Sequence, residues 1–259
     1  MRKLSKLLLT YVVDLWARIA RFSFPEKYTW RWKLDMLASR YEPETTRLCK
    51  EAIAPGAVVA DVGAHIGYFT RLFSSLAGSS GRVFAFEADA DNFELLKSNT
   101  ERRRNVVLTR AAVSSVEGSV PFYHVAGSTG CHTTVAGGAA GASPVDVPAL
   151  TLDAFFEQQR VRNVDFVKMD IEGGEWEALR GMDKLLGQER LALVIEWKPE
   201  ALQHGGRNAE ALLSFLIERG FSLAVITGSG VVRIEPDSLT RAREYLDGTG
   251  STNVYATKG

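Results

Sequence analysis

The sequence predicts an α/β domain built on a mostly parallel sheet with helices on both faces, and three observations carry that prediction. Short, β-branched, apolar runs recur at residues 58–62, 83–87, 106–109, 164–169, 191–197, 223–227 and 253–257. Helical segments separate most of them, which is the alternation of βαβ units. A glycine-rich turn follows the first run and leads directly into a helix, as at the ligand-binding end of a doubly wound sheet. The first five runs are apolar on both faces, as buried parallel strands should be.

At 259 residues the chain suits one such domain, assigned here to residues 41–259 behind a helical extension of residues 1–40. Lys and Arg number 31 and so do Asp and Glu, so no global polycation exists for nucleic acid to condense on. Apolar content is ordinary and the glycines are scattered, which excludes disorder as the main state. Cys49 and Cys131 form neither a disulfide framework nor a Cys-x-x-Cys pair, so the expected compartment is the cytoplasm.

Residues 1–22 form an amphipathic helix. Asp14 cuts the apolar run far short of a membrane span, and no cleavage site for a secretory signal follows. Leu4, Leu7, Leu8, Tyr11, Leu15, Ile19 and Phe22 share one stripe, with Lys3, Lys6, Thr10, Asp14, Arg18 and Arg21 opposite. The stripe is expected to pack on the domain as a lid, and the other reading is a cationic helix lying in a membrane interface. Trp16, Trp30 and Trp32 are expected to be packing residues. Further helices are expected over 29–39 and 43–53. Between the third and fourth strands, residues 114–148 read as a hairpin around 120–125 and then a stretch rich in Gly, Ser and Thr, marked by Gly127, Gly130, Gly137, Gly138 and Gly141. A run of that length reads as a functional loop.

The first strand ends Asp61-Val62-Gly63-Ala64-His65-Ile66-Gly67. A dinucleotide turn needs G-x-G-x-x-G so that a pyrophosphate can rest on the helix N-terminus. Here the spacing is D-x-G-x-x-x-G, and Asp61 would repel phosphate. The second strand ends in Glu87, where a carboxylate accepts hydrogen bonds from a ribose diol. Paired acids without a phosphate clamp read as a site for S-adenosylmethionine, a cationic nucleoside with an amino-acid tail. A nucleotide-binding oxidoreductase and a non-catalytic binding protein are the rival readings.

That first run, together with Phe86-Glu87-Ala88-Asp89, Asn92 and Asn99, and with Lys168-Met169-Asp170-Ile171-Glu172-Gly173-Gly174-Glu175, resembles the FkbM-type family of S-adenosylmethionine-dependent methyltransferases. The likeness covers residues 41 to 221. It implies a seven-stranded Rossmann-like methyltransferase sheet with its last strand antiparallel, and O-methylation of a carbohydrate or secondary-metabolite hydroxyl. Two positions depart from the pattern: His65 stands where Asn is usual, and Glu196-Trp197-Lys198 stands where a Glu followed by a His or another small polar pair is more usual. The candidate cofactor-binding residues are Asp61, Gly63, Ala64, His65, Gly67, Phe69, Thr70, Glu87, Ala88, Asn92, Ala112 and Asp170.

The chemistry is expected at the carboxyl end of the fourth strand, where groups face the ligand crevice of an open α/β sheet. Asp170 is the first candidate for contact with the acceptor or with the methionine ammonium, and Glu172 is the second. Together the two could also hold Mg²⁺ or Ca²⁺. Glu196 ends the fifth strand and would orient the acceptor or pair with Lys198. His132 and His204 are further candidate bases. Glu175 is expected to favour the dipole at the start of the next helix. The acceptor is a small molecule or glycan, with residues 1–22 as the one segment suited to peripheral membrane contact.

Overall fold

A computed structural model describes residues 2–125, 130–138 and 142–258, the side chains of residues 2–6 and 138 excepted. The strands are β1 (Val58–Val62), β2 (Arg82–Phe86), β3 (Val106–Thr109), β4 (Ala112–Val113), β5 (Gly118–Phe122), β6 (Val145–Leu150), β7 (Phe166–Met169), β8 (Leu191–Trp197), β9 (Ser222–Thr227), β10 (Gly230–Ile234) and β11 (Thr252–Lys258). The helices are α1 (Arg2–Ala20), α2 (Trp30–Leu37), α3 (Pro43–Ala52), α4 (Tyr68–Ala77), α5 (Ala90–Thr100), α6 (Leu152–Gln158), α7 (Glu175–Arg180), α8 (Asp183–Leu186), α9 (Pro199–His204) and α10 (Ala209–Glu218).

The main sheet runs β10-β9-β11-β8-β7-β1-β2-β3. β1, β2, β3, β7 and β8 pair in parallel, and the terminal β11 lies antiparallel between β8 and β9. All seven expected strands are in this sheet. The eighth, β10, is an edge strand that turns back from β9 through Gly228-Ser229-Gly230. Its first four residues alternate between half-buried and exposed and only Ile234 is buried, so no continuous apolar run marked it.

Alternation along the strands splits the core into two. Val59, Val83, Phe166 and Val194 pack under α3 and α4. Their neighbours Ala60, Val62, Phe84, Phe86, Val167, Met169, Leu193 and Ile195 pack on the other face against α6–α10. The strands are all parallel here, but the chain adds β2 and β3 on one side of β1 and then β7 and β8 on the other, and this switch in winding order opens a crevice at the carboxyl ends of β1, β2 and β7.

Two expectations need correction. Residues 114–148 are not a loop throughout: β6 pairs antiparallel with β5 and parallel with β4, making a second, three-stranded sheet, and Tyr123 bridges Thr133. Its alternating pattern of exposed and buried residues lacks the apolar density of the main sheet. The expected markers Gly127 and Gly141 lie outside the described residues. The second correction concerns α1. It packs through Val13 and Ala17, 3% and 7% exposed, while Leu7, Leu8, Tyr11, Leu15 and Ile19 of the expected packing stripe are 45–74% exposed. Trp16 and Trp32, 40% and 53% exposed, also belong to no core cluster.

The anchorage of α1 explains its rotation. Arg71 donates to the carbonyls of Arg21 and Ala20 at 2.9 and 3.0 Å, capping the helix end with positive charge. Lys33 pairs with Asp14 at 2.7 Å, and Phe22 packs with Met36 and Ile66. These contacts fix the small-residue face inward.

Trp197 closes β8 with no exposed surface, and its indole N–H donates to the Ala209 carbonyl at 2.9 Å. Trp197→Ala leaves both a cavity and an unpaired carbonyl, so urea denaturation should show a loss of about 3–5 kcal/mol.

Candidate active site

The turn after β1 is dictated by close packing. Gly63 has φ +80°, and a Cβ there would collide with the Asp170 carbonyl. Gly67 has φ +89°, with Leu96 filling the space a side chain would need. His65, at φ +51°, turns its amide toward β2 and donates to Glu87 Oε2 at 2.7 Å, while the Asp89 amide donates to Glu87 Oε1 at 2.9 Å. Burial raises the Glu87 carboxyl to about 7 against those two bonds. Asp89 caps α5 by accepting from the Asn92 amide.

On the other side of the crevice, the register of β1 and β7 sets Lys168 beside Asp61. Lys168 is buried, its Nζ 2.9 Å from Asp170 Oδ2 and over the Phe69 ring at 4.6 Å. Burial alone would depress this ammonium, but Asp170, Glu42 and Asp61 together raise it. Burial lifts Asp61 to about 6, opposed by Lys168 and by a 2.5 Å bond from Thr70 Oγ1. At Asp170 burial pushes upward, yet Lys168 prevails and holds the carboxyl below its ordinary range.

Glu196 behaves oppositely. Burial, and then the charges of Asp170, Glu172 and Glu175, lift it to about 9. It is therefore the protonated partner, donating to Asp170, and its Oε2 has no partner. Lys198 pairs with Glu172 at 2.8 Å and not with Glu196, which corrects the expected pairing. Glu175 does begin α7, but its carboxylate also turns back and accepts from the amides of Ile171 and Gly173 at 3.0 and 2.9 Å. That clamp shapes the loop in which Glu172 takes φ +53°. The carboxylates of Asp170, Glu172 and Glu196 approach within 4.8 Å of one another. Within this group Lys168 pairs with Asp170 and Lys198 with Glu172.

Two cavities meet here. The smaller is lined by Gly63, His65, Glu87, Ala88, Asn92, Ala112, Phe122 and His132. The larger, of about 770 Å³, takes in Asp61, Ala64, Phe69, Glu196 and Lys198. Gly63, His65, Asp170 and Glu172 border both. Gly67 and Thr70 line neither: one makes the turn and the other holds Asp61. His132 lies on the Glu87 side, its Nδ1 accepting from the Val125 amide and its ring 4.9 Å from that of His124. His204 is exposed at the end of α9.

Sequence reasoning gave no role to Lys168, nor to Tyr28, Tyr41, Glu42 and Asn253, which also line the larger cavity. Lys168 had a readable signal, a lone charge inside an apolar strand. The others come from distant segments without a pattern.

The geometry agrees with the comparisons. Residues 61–223 match the family described as the methyltransferase FkbM domain. The chain belongs to the FkbM methyltransferase family. Its cofactor is S-adenosylmethionine, and the oxidoreductase reading falls away. The chain is 30% identical over 165 residues to the hexuronic acid methyltransferase AglP of Haloferax volcanii, a match covering 63% of this chain and 64% of that one. The matched region thus spans less than two thirds of that relative. Among solved structures it is similar to SMU.1697c of Streptococcus mutans in complex with SAH (11% identity, 84% and 97% of the two chains, TM-score 0.49). A putative rRNA methylase of Clostridium thermocellum is similar to the same degree (12%, 84% and 96%, 0.49).

The lining of the smaller cavity fits the cofactor of this methyltransferase. It contains no Lys or Arg among the described residues, Glu87 projects into it, and the absence of a Cβ at Gly63 keeps the turn against the Asp170 loop.

The retained proton on Glu196 has a consequence for stability. Unfolded, a glutamic acid ionises near ~4.3, whereas here it holds its proton to about 9, so between those values the folded state binds the extra proton and loses stability as pH rises. Glu196→Gln removes this liability. Its melting temperature relative to the parent protein should climb steadily from pH ~5 to ~9, followed by thermal unfolding in matched buffers.

Proposed function

We propose that this methyltransferase transfers its methyl group to a hydroxyl oxygen of a carbohydrate or carbohydrate-like metabolite. The observation that carries the reading is the position of Asp170, ionised, at the border of a cofactor-sized cavity and a larger one walled by both aromatic and polar groups. Tyr28, Trp32 and Tyr41 offer apolar faces to the C–H surfaces of a sugar ring. Thr45, Lys198 and Asn253 offer hydrogen bonds to its hydroxyls. A few placed polar groups on an aromatic wall are the usual make-up of such a pocket. The hexuronic acid named for the Haloferax relative supports the same class, and Lys27 and Lys198 would suit an acidic sugar.

Glu87 would hold the ribose hydroxyls of the cofactor, and Asp61 with Asp170 would favour its cationic end. When bound, S-adenosylmethionine supplies an electrophilic methyl group. Asp170 accepts the acceptor's proton. Lys168 keeps that carboxylate ionised at neutral pH and thereby weakens it as a base, but the hydroxyl turns strongly acidic as its oxygen forms the new bond, so a weak base suffices. Glu196, already protonated, cannot serve as the base. It fixes the Asp170 carboxylate by hydrogen bonding. Glu172, tied to Lys198, shapes the border of the two cavities, and alignment of acceptor with methyl supplies much of the remaining rate.

Two measurements test this. Glu87→Ala should weaken S-adenosylmethionine and S-adenosylhomocysteine binding by about 1.5–3 kcal/mol in titration calorimetry, and an unchanged affinity would move the ribose elsewhere. Asp170→Asn stays folded because Lys168 still faces Asp61 and Glu42. With radiolabelled methyl donor and uronic acids, hexoses and their glycosides as acceptors, its kcat should fall by about 10²–10⁴ with cofactor affinity retained. Normal kcat with lost cofactor affinity would assign Asp170 to the methionine end instead.

A further inference from the structure

The most anomalous surface of the molecule is the outer face of α1. Leu8, Tyr11, Val12, Leu15 and Ile19 project from one side of the helix and all are exposed, flanked by Leu7 and Trp16, while the packed side is narrow and made of Val13 and Ala17. A soluble monomer rarely leaves so large an apolar stripe uncovered. No helix among the described residues is long and apolar enough to cross a membrane, so the stripe must be covered from outside, side-on.

Charge identifies what covers it. Residues 1–33 contain eight Lys and Arg against two Asp and Glu, although the whole chain sums to zero. Arg18 sits exposed on the helix, and Lys27 and Arg31 stand exposed just beyond it. A second copy of so cationic a segment would be repelled, whereas an anionic surface would be attracted. Exposed Tyr11, Trp16 and Trp32 are side chains suited to the headgroup level of a bilayer, with an apolar body and one polar atom.

We propose that α1 is an interfacial helix that lays the protein on an anionic lipid bilayer, its apolar stripe entering the headgroup boundary and its basic residues meeting lipid phosphates. The proposal is independent of the acceptor's identity. Because Lys27, Tyr28 and Trp32 follow α1 and line the larger cavity, the docked face borders the entrance to that cavity.

The test is flotation of the full chain with vesicles of phosphatidylglycerol and phosphatidylcholine or of phosphatidylcholine alone. The protein should float with the anionic vesicles and be released as salt rises from ~0.1 M to ~0.5 M. The triple variant Leu8→Glu, Leu15→Glu, Ile19→Glu alters only exposed side chains that line neither cavity. It should bind S-adenosylhomocysteine normally and lose vesicle affinity by about 100-fold or more. Equal flotation with neutral vesicles would overturn the proposal. So would a dimer in sedimentation equilibrium that the triple variant dissolves, combined with no flotation by the parent protein.

Discussion

Lys168 stands inside the sheet with its ammonium group removed from water, and the electrostatics of the site follow from that placement. Burying an ion costs several kcal/mol unless other charges compensate it. Compensation comes from three carboxylates on three elements: Asp61 beside it on β1, Asp170 at the end of its own strand, and Glu42 before α3. Each is pulled toward the crevice by the same charge. Too many acids then share one small volume: burial pushes Glu42 upward despite Lys168, and Glu196 is lifted far enough to keep its proton. An ionised Asp170 beside a protonated Glu196 thus follows from the excess of acid over base around one lysine.

How much of this was legible in the sequence depends on how local the determining physics is. The first strand, its turn and Glu87 could be read because a buried parallel strand is a continuous apolar run, and because Gly63 and Gly67 occupy backbone positions where a side chain would collide. Asp170 could be read because it follows such a run directly. The helix of residues 2–20 was equally plain in its period, yet its orientation was not. The wheel identified the apolar stripe correctly and assigned it to the core, whereas Arg71 and Lys33, distant in sequence, turn that stripe outward. The second sheet escaped for a related reason: β5 and β6 are held in register by each other across 22 intervening residues, and neither carries an apolar run of its own.

Glu172 and Lys198 show the limit at the level of single side chains. In the sequence Lys198 stands two residues from Glu196, which made that pair the natural one. Successive residues of an extended strand point to opposite faces, but Lys198 lies just past the end of β8, where that rule lapses. The Glu175 clamp turns the Asp170 loop so that Glu172 reaches Lys198 first. Glu196 is left without a cation and retains its proton.

The two cavities differ in how they are built. The smaller one is made from the ends of β1 and β2, the start of α5, the β7 loop and the second sheet, tied by backbone hydrogen bonds to Glu87 and by glycines pressed against main chain. The larger one draws its walls from segments near residues 27–45, 130–131, 226–228 and 245–253, which meet mainly through side chains such as Asn253 on Glu42 and Thr45. On the proposed assignment of the two cavities, substitution near residues 27–45, 226–228 or 245–253 reshapes the acceptor wall without moving the backbone that receives the donor. Such a scaffold can change substrates over evolutionary time while its methyl-donor chemistry stays constant, because drift in the one wall carries little penalty in the other.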